Sequence, residues 1–289
     1  MVMQSVALAD RITLKPLNAP SIHIQCDHPQ VPTDSANLAY KAVALLQKRL
    51  PNRTNQKGGV EITIEKKIPV GAGLAGGSSN AAAVLFGLDI LWELGLTRVE
   101  LQELGAELGS DVPFCLAGGC AIATGRGEKV NLLYKNNSLH AVLAKYNSLS
   151  VSTPWAYQTY RQQFGHTYIP DRSANLEERQ ARVHSGNMVQ AIGKKQPLAI
   201  GSHLYNDLEK VVLPAHPKVA QLKSTMTAVA SQCNALGTLM SGSGPTLFTL
   251  CETLEQAQTI AQTIRQQISD LDLSLYTAPF TAHGIETLA

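Results

Sequence analysis

The 289-residue sequence contains no block of charge of one sign. Its 24 Lys and Arg residues are nearly balanced by 22 Asp and Glu residues, which leaves a formal net charge of +2. Proteins that bind nucleic acids or anionic membranes do so through clustered basic residues, so this charge pattern argues against both as partners. The expected partner is a small molecule.

The sequence also has little cysteine and no uninterrupted apolar run of membrane length. Its five cysteines form no Cys-x-x-Cys pair, which argues against a zinc site or a disulfide framework and favours reduced thiols in the cytoplasm. The most apolar stretch, residues 68–88, contains a proline, five glycines, two serines and an asparagine. These residues exclude a transmembrane helix. The N-terminus has no basic segment followed by an apolar core, so we expect no secretory signal.

Hydrophobic periodicity predicts an α+β protein with two domains, residues 1–145 and 146–289. Residues 5–17 alternate as a strand does, and residues 38–50 then show the period of a helix. Val60, Ile62 and Ile64 alternate with polar residues and predict a strand. Further segments follow in both halves: we expect helices at 79–94, 98–108, 218–230 and 254–268, and strands at 236–240, 245–251 and 271–278.

A glycine-rich segment, PVGAGLAGGSSNAAAVL, follows the strand that ends near residue 65. Its first three glycines satisfy Gly-x-Gly-x-x-Gly, but a dinucleotide-binding unit would next return to a second parallel strand, and here a second helix follows. The lysine of a P-loop is absent between Gly77 and Ser78, which excludes a P-loop NTPase. A glycine turn without a ligand remains the alternative.

The favoured interpretation of this segment is a phosphate-binding loop. Glycines expose backbone amides, Ser78 and Ser79 add hydroxyl donors, and the helix that follows directs its positive end toward the loop. Either serine hydroxyl could also bind Mg²⁺.

Three segments together resemble the GHMP kinases. They are the glycine segment, LGSDVPFCLAGGCAIATGRGE at 108–128 and SGSGPTLF at 241–248. NLAYKAVALL, STPWAY and NDLE occur in the order that this family shows, so the resemblance covers nearly the whole chain. It implies the GHMP kinase fold, with an N-terminal domain like ribosomal protein S5 domain 2 and a ferredoxin-like C-terminal domain.

The activity implied by the resemblance is ATP-dependent phosphorylation of the 2-hydroxyl of diphosphocytidyl methylerythritol, on the non-mevalonate route to isoprenoid precursors. ATP and Mg²⁺ are then the expected cofactors, and the protein would be a monomer or a weak homodimer. Another GHMP kinase, such as a homoserine or mevalonate-type enzyme, remains an alternative.

The resemblance also assigns roles to residues. The triphosphate would lie against the glycine loop, which comprises Pro69, Val70, Gly71, Ala72, Gly73, Leu74, Ala75, Gly76, Gly77, Ser78 and Ser79. Asn37 and Lys66 would contact the adenine side; the alternatives are a polar residue in the first helical turn and a solvated strand lysine. Asp111 would be the catalytic base or the carboxylate that orients the acceptor hydroxyl, although a turn or capping role is also open.

The remaining implied residues would bind the acceptor substrate. Tyr157 would stack on cytosine and Thr153 would make a polar contact, while Gly242, Ser243 and Gly244 would donate hydrogen bonds to the diphosphate. Packing of the tyrosine and an ordinary strand turn at the glycines are the alternatives.

One departure concerns the start of the family pattern. The family's first strand carries Lys-x-Asn and is followed by a Gly-Tyr-His segment, and both would precede Met1. We therefore expect a chain that is truncated at its start, either because translation begins upstream or because the chain is catalytically impaired. A nucleotide-binding protein without catalysis is the alternative from a different functional class.

Overall fold

A computed structural model of the chain describes residues 1–133, 138–167, 184 and 186–288. The chain divides into two compact units. The first comprises Met1–Val70, Ala75–Leu132 and Thr281–Ala289, and the second comprises Gly71–Leu74 and Leu133–Phe280. The units are thus not contiguous in sequence, whereas the sequence predicts one boundary near residue 145, and that boundary stays a prediction.

The first unit contains two three-stranded sheets and a layer of helices. Its strands are β1 (Val2–Gln4), β2 (Arg11–Leu17), β3 (Ile22–Cys26), β4 (Gly59–Glu65), β5 (Cys120–Thr124) and β6 (Lys129–Leu132). Its helices are α1 (Leu38–Arg49), α2 (Pro51–Thr54), α3 (Gly76–Leu91), α4 (Arg98–Leu108) and α5 (Val112–Ala117). One sheet has the order β2-β4-β3, in which β4 runs antiparallel to β2 and parallel to β3; the other has the antiparallel order β1-β5-β6.

The core of this unit forms where β4 packs on α1 and α3. Val60, Ile62 and Ile64 are all buried in it, as their alternation predicts. Leu46 of α1 and Leu85 of α3 are completely buried in the same cluster. Burial of side chains of this size contributes about 1.5–3 kcal/mol each, so this interface anchors both ends of the loop between β4 and α3.

Of the strand predicted over residues 5–17, residues 11–17 form β2, whereas residues 5–10 connect it to β1, which precedes the predicted range. Asp10 ends this connection and accepts hydrogen bonds from the amides of Lys67 and Ile68. Hydrogen bonds between a side chain and a neighbouring backbone segment compete with strand pairing. Hydrophobic periodicity alone does not reveal such hydrogen bonds.

Residues 281–284, which belong to the first unit, pack against Ser5 and Gly118. The amide of Thr281 donates to the Ser5 carbonyl at 2.9 Å, and the Ser5 amide donates to the Gly119 carbonyl at 2.8 Å. Gly118 has a φ of +68°, and a Cβ there would lie 2.0 Å from the Gly284 nitrogen. The contact therefore requires glycine at position 118.

The second unit is a four-stranded antiparallel sheet covered by helices. Its strands are β7 (His140–Tyr146), β8 (Gly237–Met240), β9 (Leu247–Cys251) and β10 (Leu273–Pro279), in the order β10-β7-β9-β8. Its helices are α6 (Thr153–Phe164), α7 (Asn187–Gly193), α8 (Pro197–Ser202), α9 (Glu209–Ala215), α10 (Pro217–Gln232) and α11 (Leu254–Gln267). The succession β7-α10-β8-β9-α11-β10 is the ferredoxin-like arrangement.

The core of the second unit lies between its sheet and the helices α10 and α11. Val142 and Leu247 from the sheet, with Met226 and Ile260 from the helices, are completely buried in one cluster. Part of the polar middle of the sequence, residues 168–183 and 185, lies outside the described residues. No helix in the described part of the chain combines the length and the apolar character that a membrane span requires.

Candidate active site

The glycine loop leads into a helix whose N-terminus has no side-chain cap. α3 begins directly after Ala75, which has a φ of +53° and makes no capping hydrogen bond. The Ser79 amide donates to the Ala75 carbonyl at 2.8 Å, so the amides of Gly76, Gly77 and Ser78 precede the first amide that donates within the helix. In contrast, the N-termini of α1 and α4 are capped by Asn37 and Thr97. An uncapped helix start with free amides is suited to an anion.

The middle of the glycine loop lies against the turn at residues 241–244, within the second unit. Ser241 Oγ donates to the Gly73 carbonyl at 2.8 Å, and the Thr246 amide donates to the Ala72 carbonyl at 3.4 Å. A Cβ at Gly73 would lie 2.5 Å from the Ser241 carbonyl oxygen and 2.9 Å from that of Gly244. The structure thus brings together the glycine loop, which the resemblance assigns to the triphosphate of ATP, and the turn that it assigns to the diphosphate of the acceptor.

Two residues that sequence reasoning missed hold this turn in place. Asn206 Nδ2 donates to the carbonyls of Met240 and Gly242, at 2.8 Å in both cases. Glu209 Oε1 accepts the Met240 amide at 2.8 Å, and the same carboxylate forms an ion pair with Lys223. Both belong to the NDLE segment at 206–209, which the sequence places in the family order without a structural role. That order was the available signal, because neighbours such as His203, Tyr205 and Lys210 are polar as well.

Thr153 and Ser243, two of the predicted substrate-binding residues, are direct neighbours. Their hydroxyl oxygens lie 2.8 Å apart, and Ser243 is buried. Thr153 is the first residue of α6, and Tyr157 follows one helical turn later, so the two lie on the same side of that helix. The tyrosine is 50 % exposed. Together these side chains offer hydroxyl groups and an accessible aromatic ring.

Asp111 lies between α4 and α5 in the first unit and takes the N-cap position of α5 without a side-chain capping bond. Burial raises the pKa of its carboxyl group above the usual range, and this is the only cause of the shift. Among the described residues, no basic side chain forms an ion pair with it. A carboxylate whose pKa is shifted by its environment is a candidate functional group.

Ser78 lies beside the turn that contains Asp111. A Cβ at Gly109, two residues before Asp111, would be 3.9 Å from Ser78 Oγ. The loop end that carries the serine hydroxyls and the turn that carries the aspartate are therefore adjacent within the first unit.

Asn37 and Lys66, the predicted adenine-side residues, both have protein partners. Asn37 Oδ1 accepts the Ala39 amide at 2.9 Å and its Nδ2 donates to the Pro32 carbonyl at 2.6 Å. Lys66 forms a buried ion pair with Asp10, and their side chains are 5 % and 1 % exposed. Lys66 is thus not a solvated strand lysine, and the contact of both residues with adenine stays a prediction.

The comparison with protein families matches two regions of the chain. The model of the GHMP kinases N terminal domain matches residues 37–119, and the model of the GHMP kinases C terminal domain matches residues 188–270. These ranges contain the glycine loop, Asp111 and the turn at 241–244.

Individual relatives match over nearly the whole chain. A protein of Gloeothece citriformis named 4-diphosphocytidyl-2-C-methyl-D-erythritol kinase is 55 % identical, over 99 % of this chain and 89 % of its own length. The crystal structure of a 4-(cytidine 5'-diphospho)-2C-methyl-D-erythritol kinase has a TM-score of 0.69 at 29 % identity, and the match covers 96 % of this chain and 88 % of that one. The homoserine kinase of Cytophaga hutchinsonii has a TM-score of 0.73 at 21 % identity, over 98 % and 90 % of the two chains. At that identity the second structure shows the fold alone.

Proposed function

The chain belongs to the GHMP kinases, and from that premise we propose that it transfers the γ-phosphate of ATP to the 2-hydroxyl of 4-diphosphocytidyl-2-C-methyl-D-erythritol. The observation that carries this proposal is the 55 % identity, over 99 % of the chain, to a relative named 4-diphosphocytidyl-2-C-methyl-D-erythritol kinase. The glycine loop, the uncapped start of α3 and the half-buried Asp111 supply the groups that such a reaction needs.

The glycine loop would bind the triphosphate of ATP through its backbone. The positive φ values of Gly71 and Gly73, +62° and +70°, let successive amides turn toward one ligand. The amides at the start of α3 and the positive end of its dipole then add attraction for the terminal phosphates. No lysine is needed in the loop for this mode of binding.

Asp111 would orient the acceptor hydroxyl and accept its proton. Phosphoryl transfer requires the nucleophile to be positioned and charge to be neutralised, and one carboxylate beside the hydroxyl meets the first need. Because burial raises the pKa of Asp111, its ionised form is a stronger base than an exposed aspartate would be. Thr153, Ser243 and Tyr157 would bind the diphosphocytidyl part of the acceptor, the hydroxyls toward phosphate and the ring toward cytosine.

Mg²⁺ is the expected metal, and the Ser78 and Ser79 hydroxyls would hold it. The described residues contain no group of three or more His, Cys, Asp and Glu side chains that could form a metal cage. Mg²⁺ keeps several waters and is commonly bound through few protein ligands together with substrate phosphates, so two hydroxyls fit it. When bound, the ion would neutralise charge on the phosphates.

A phosphotransfer assay with alternative acceptors tests the proposal. The purified full chain is incubated with ATP and Mg²⁺ and with diphosphocytidyl methylerythritol, homoserine or mevalonate, while ADP release is followed and the product is identified by phosphorus NMR. We expect turnover only when the acceptor is the diphosphocytidyl compound, and the product should carry the new phosphate at the 2-position. Turnover with another acceptor would show that the proposed substrate is wrong. ATP binding without any phosphate transfer would favour the nucleotide-binding alternative.

Asp111→Asn tests the role of the carboxylate in the same assay. Loss of a positioned base lowers turnover by roughly 10²- to 10⁴-fold, and we expect ATP to bind as it does to the unchanged chain. Asp89→Asn is the matched control, because Asp89 Oδ1 accepts the Leu96 amide at 2.8 Å and an asparagine oxygen can do the same. Full turnover in Asp111→Asn would remove the catalytic assignment.

A further inference from the structure

Asp10 is a buried carboxylate that no predicted site includes. Its side chain is 1 % exposed. Oδ1 accepts the Lys67 amide at 2.7 Å and the Ile68 amide at 2.8 Å. Oδ2 accepts Asn80 Nδ2 at 2.7 Å and also the Lys66 ammonium group. An ionised carboxylate offers about four acceptor positions, so the four donors use its capacity fully.

These donors come from the two ends of the glycine loop. Residues 66–68 immediately precede Pro69, where the loop starts, and Asn80 immediately follows Ser79, where it ends. One carboxylate therefore joins the entry and the exit of the loop, and all its partners belong to the first unit. A glycine-rich segment loses much conformational entropy when it is ordered. Fixing its ends therefore reduces the binding free energy that a ligand must spend on ordering the loop.

Asp10 also balances the charge beside the start of α3. A Cβ at Gly76 would lie 3.3 Å from Lys66 Nζ, so the lysine ammonium lies next to the first residue of this helix. A helix N-terminus already carries positive partial charge, which makes an unpaired ammonium there unfavourable. The Lys66 Nζ atom has Asp10 as its anionic partner and lies 3.4 Å from Asn80 Oδ1. The ion pair thereby keeps the lysine in one position beneath the loop.

We propose that Asp10 is a positioning residue for ATP, which fixes both ends of the glycine loop and the Lys66 ammonium through one buried carboxylate. This inference rests on the proposed function, because it assumes that the loop is where ATP binds. It assigns no contact between Asp10 and the nucleotide. Its effect should therefore appear in the affinity for ATP and not in that for the acceptor.

Two single variants and their combination test this role. Asp10→Asn turns an acceptor into an amide that faces the amide of Asn80, and Asn80→Asp places a second carboxylate against Asp10. Because hydrogen bonds to charged groups are the strong ones, we expect each single variant to raise the KM for ATP roughly tenfold or more. The KM for the acceptor should stay within about twofold.

The combined variant Asp10→Asn with Asn80→Asp exchanges the two groups. The new side-chain amide at position 10 could still accept the two backbone amides and donate to the new carboxylate. Lys66 would retain an anionic partner because its Nζ already lies 3.4 Å from the side-chain oxygen at position 80. We expect the KM for ATP to return to within about threefold of the unchanged chain. A residue that only stabilises the fold would change the melting temperature without this separation of the two KM values.

Asp27→Asn is the matched control. The exposed Asp27 accepts the Lys66 amide at 2.9 Å, yet no hydrogen bond joins it to the Lys66 ammonium or to α3 in the described part of the chain. Both KM values should be unchanged in this variant.

Calorimetric titration with ATP separates this inference from the proposed function. Absence of phosphotransfer in the unchanged chain would overturn the function, while the ATP affinities of the variants would still test Asp10. Unchanged ATP affinity in both single variants would overturn the positioning role. If a single variant does not fold, the exchanged variant decides, and a folded exchanged variant that binds ATP poorly contradicts the proposal.

Discussion

Replacement of Gly73 by alanine tests the contact between the glycine loop and the turn at 241–244. Gly73 has a φ of +70°, and its Cβ would lie 2.5 Å from the Ser241 carbonyl oxygen and 3.0 Å from the Gly244 nitrogen. These neighbours are backbone atoms, so no rotation of a side chain can relieve the overlap. The loop must move away from the turn or the turn must distort.

The expected cost can be estimated from two contributions. A left-handed conformation costs an alanine about 1–2 kcal/mol, and separation of the loop from the turn removes the hydrogen bond from Ser241 Oγ to the Gly73 carbonyl, worth about 0.5–1.5 kcal/mol. Together they give roughly 1.5–3.5 kcal/mol. If the loop moves while the rest of the unit stays folded, this energy corresponds to a loss of ATP affinity of roughly ten- to several-hundredfold.

Gly95→Ala is the control for backbone conformation. Gly95 has a similar φ of +64°, but a Cβ there would meet no heavy atom within 4 Å. We expect about 1–2 kcal/mol of destabilisation from the conformation alone and unchanged ATP affinity. Thermal unfolding and calorimetric ATP titration of both variants provide the comparison. A Gly73→Ala variant that binds ATP as tightly as the unchanged chain and melts no lower than Gly95→Ala would contradict the predicted overlap.

Three further predictions concern other side chains. Burial raises the pKa of Asp111 in the folded chain. The stability that this group contributes is therefore present below its unfolded pKa and is lost as the pH rises through the folded pKa. Asp111→Asn should melt higher than the unchanged chain at about pH 8, and the difference in melting temperature should shrink toward about pH 4. Thr153→Val removes the hydroxyl that lies 2.8 Å from Ser243 Oγ and should raise the acceptor KM about 2- to 12-fold, with the ATP KM unchanged in steady-state kinetics. Burial raises the pKa of the Cys115 thiol to about 12, so mass spectrometry after iodoacetamide treatment should find Cys26 alkylated before Cys115, and equal labelling would contradict the burial.

The local elements of the fold could be predicted from the sequence because local patterns determine them. Val60, Ile62 and Ile64 alternate and are buried together, and α4 has the predicted bounds, Arg98–Leu108. Thr97 and Glu100 form a reciprocal capping box at its start, which explains why this boundary is sharp. The predicted start of α3 at Ser79 was three residues late, because Gly76 and Gly77 adopt helical conformation after the left-handed Ala75.

Contacts between distant segments could not be predicted in this way. Ser241 and Gly73 are 168 positions apart, and neither segment carries a pattern that identifies the other. Asp10 belongs to an alternating run and resembles an outward-facing strand residue, although its carboxylate is buried against Asn80 of α3 and against residues 66–68, which follow β4. Such contacts depend on how the chain folds back, which hydrophobic periodicity does not encode.

The packing of residues 281–288 on the first unit has a consequence for synthesis of the protein on the ribosome. The Ser5 carbonyl accepts the Thr281 amide, and Gly118 lies against Gly284, so these contacts can form only after residues 281–284 have been synthesised. Domains generally fold in the order in which they emerge, yet here the earlier unit stays incomplete until residues 133–280, which belong to the second unit, have also been synthesised. Maturation of the earlier unit should therefore follow synthesis of the later one.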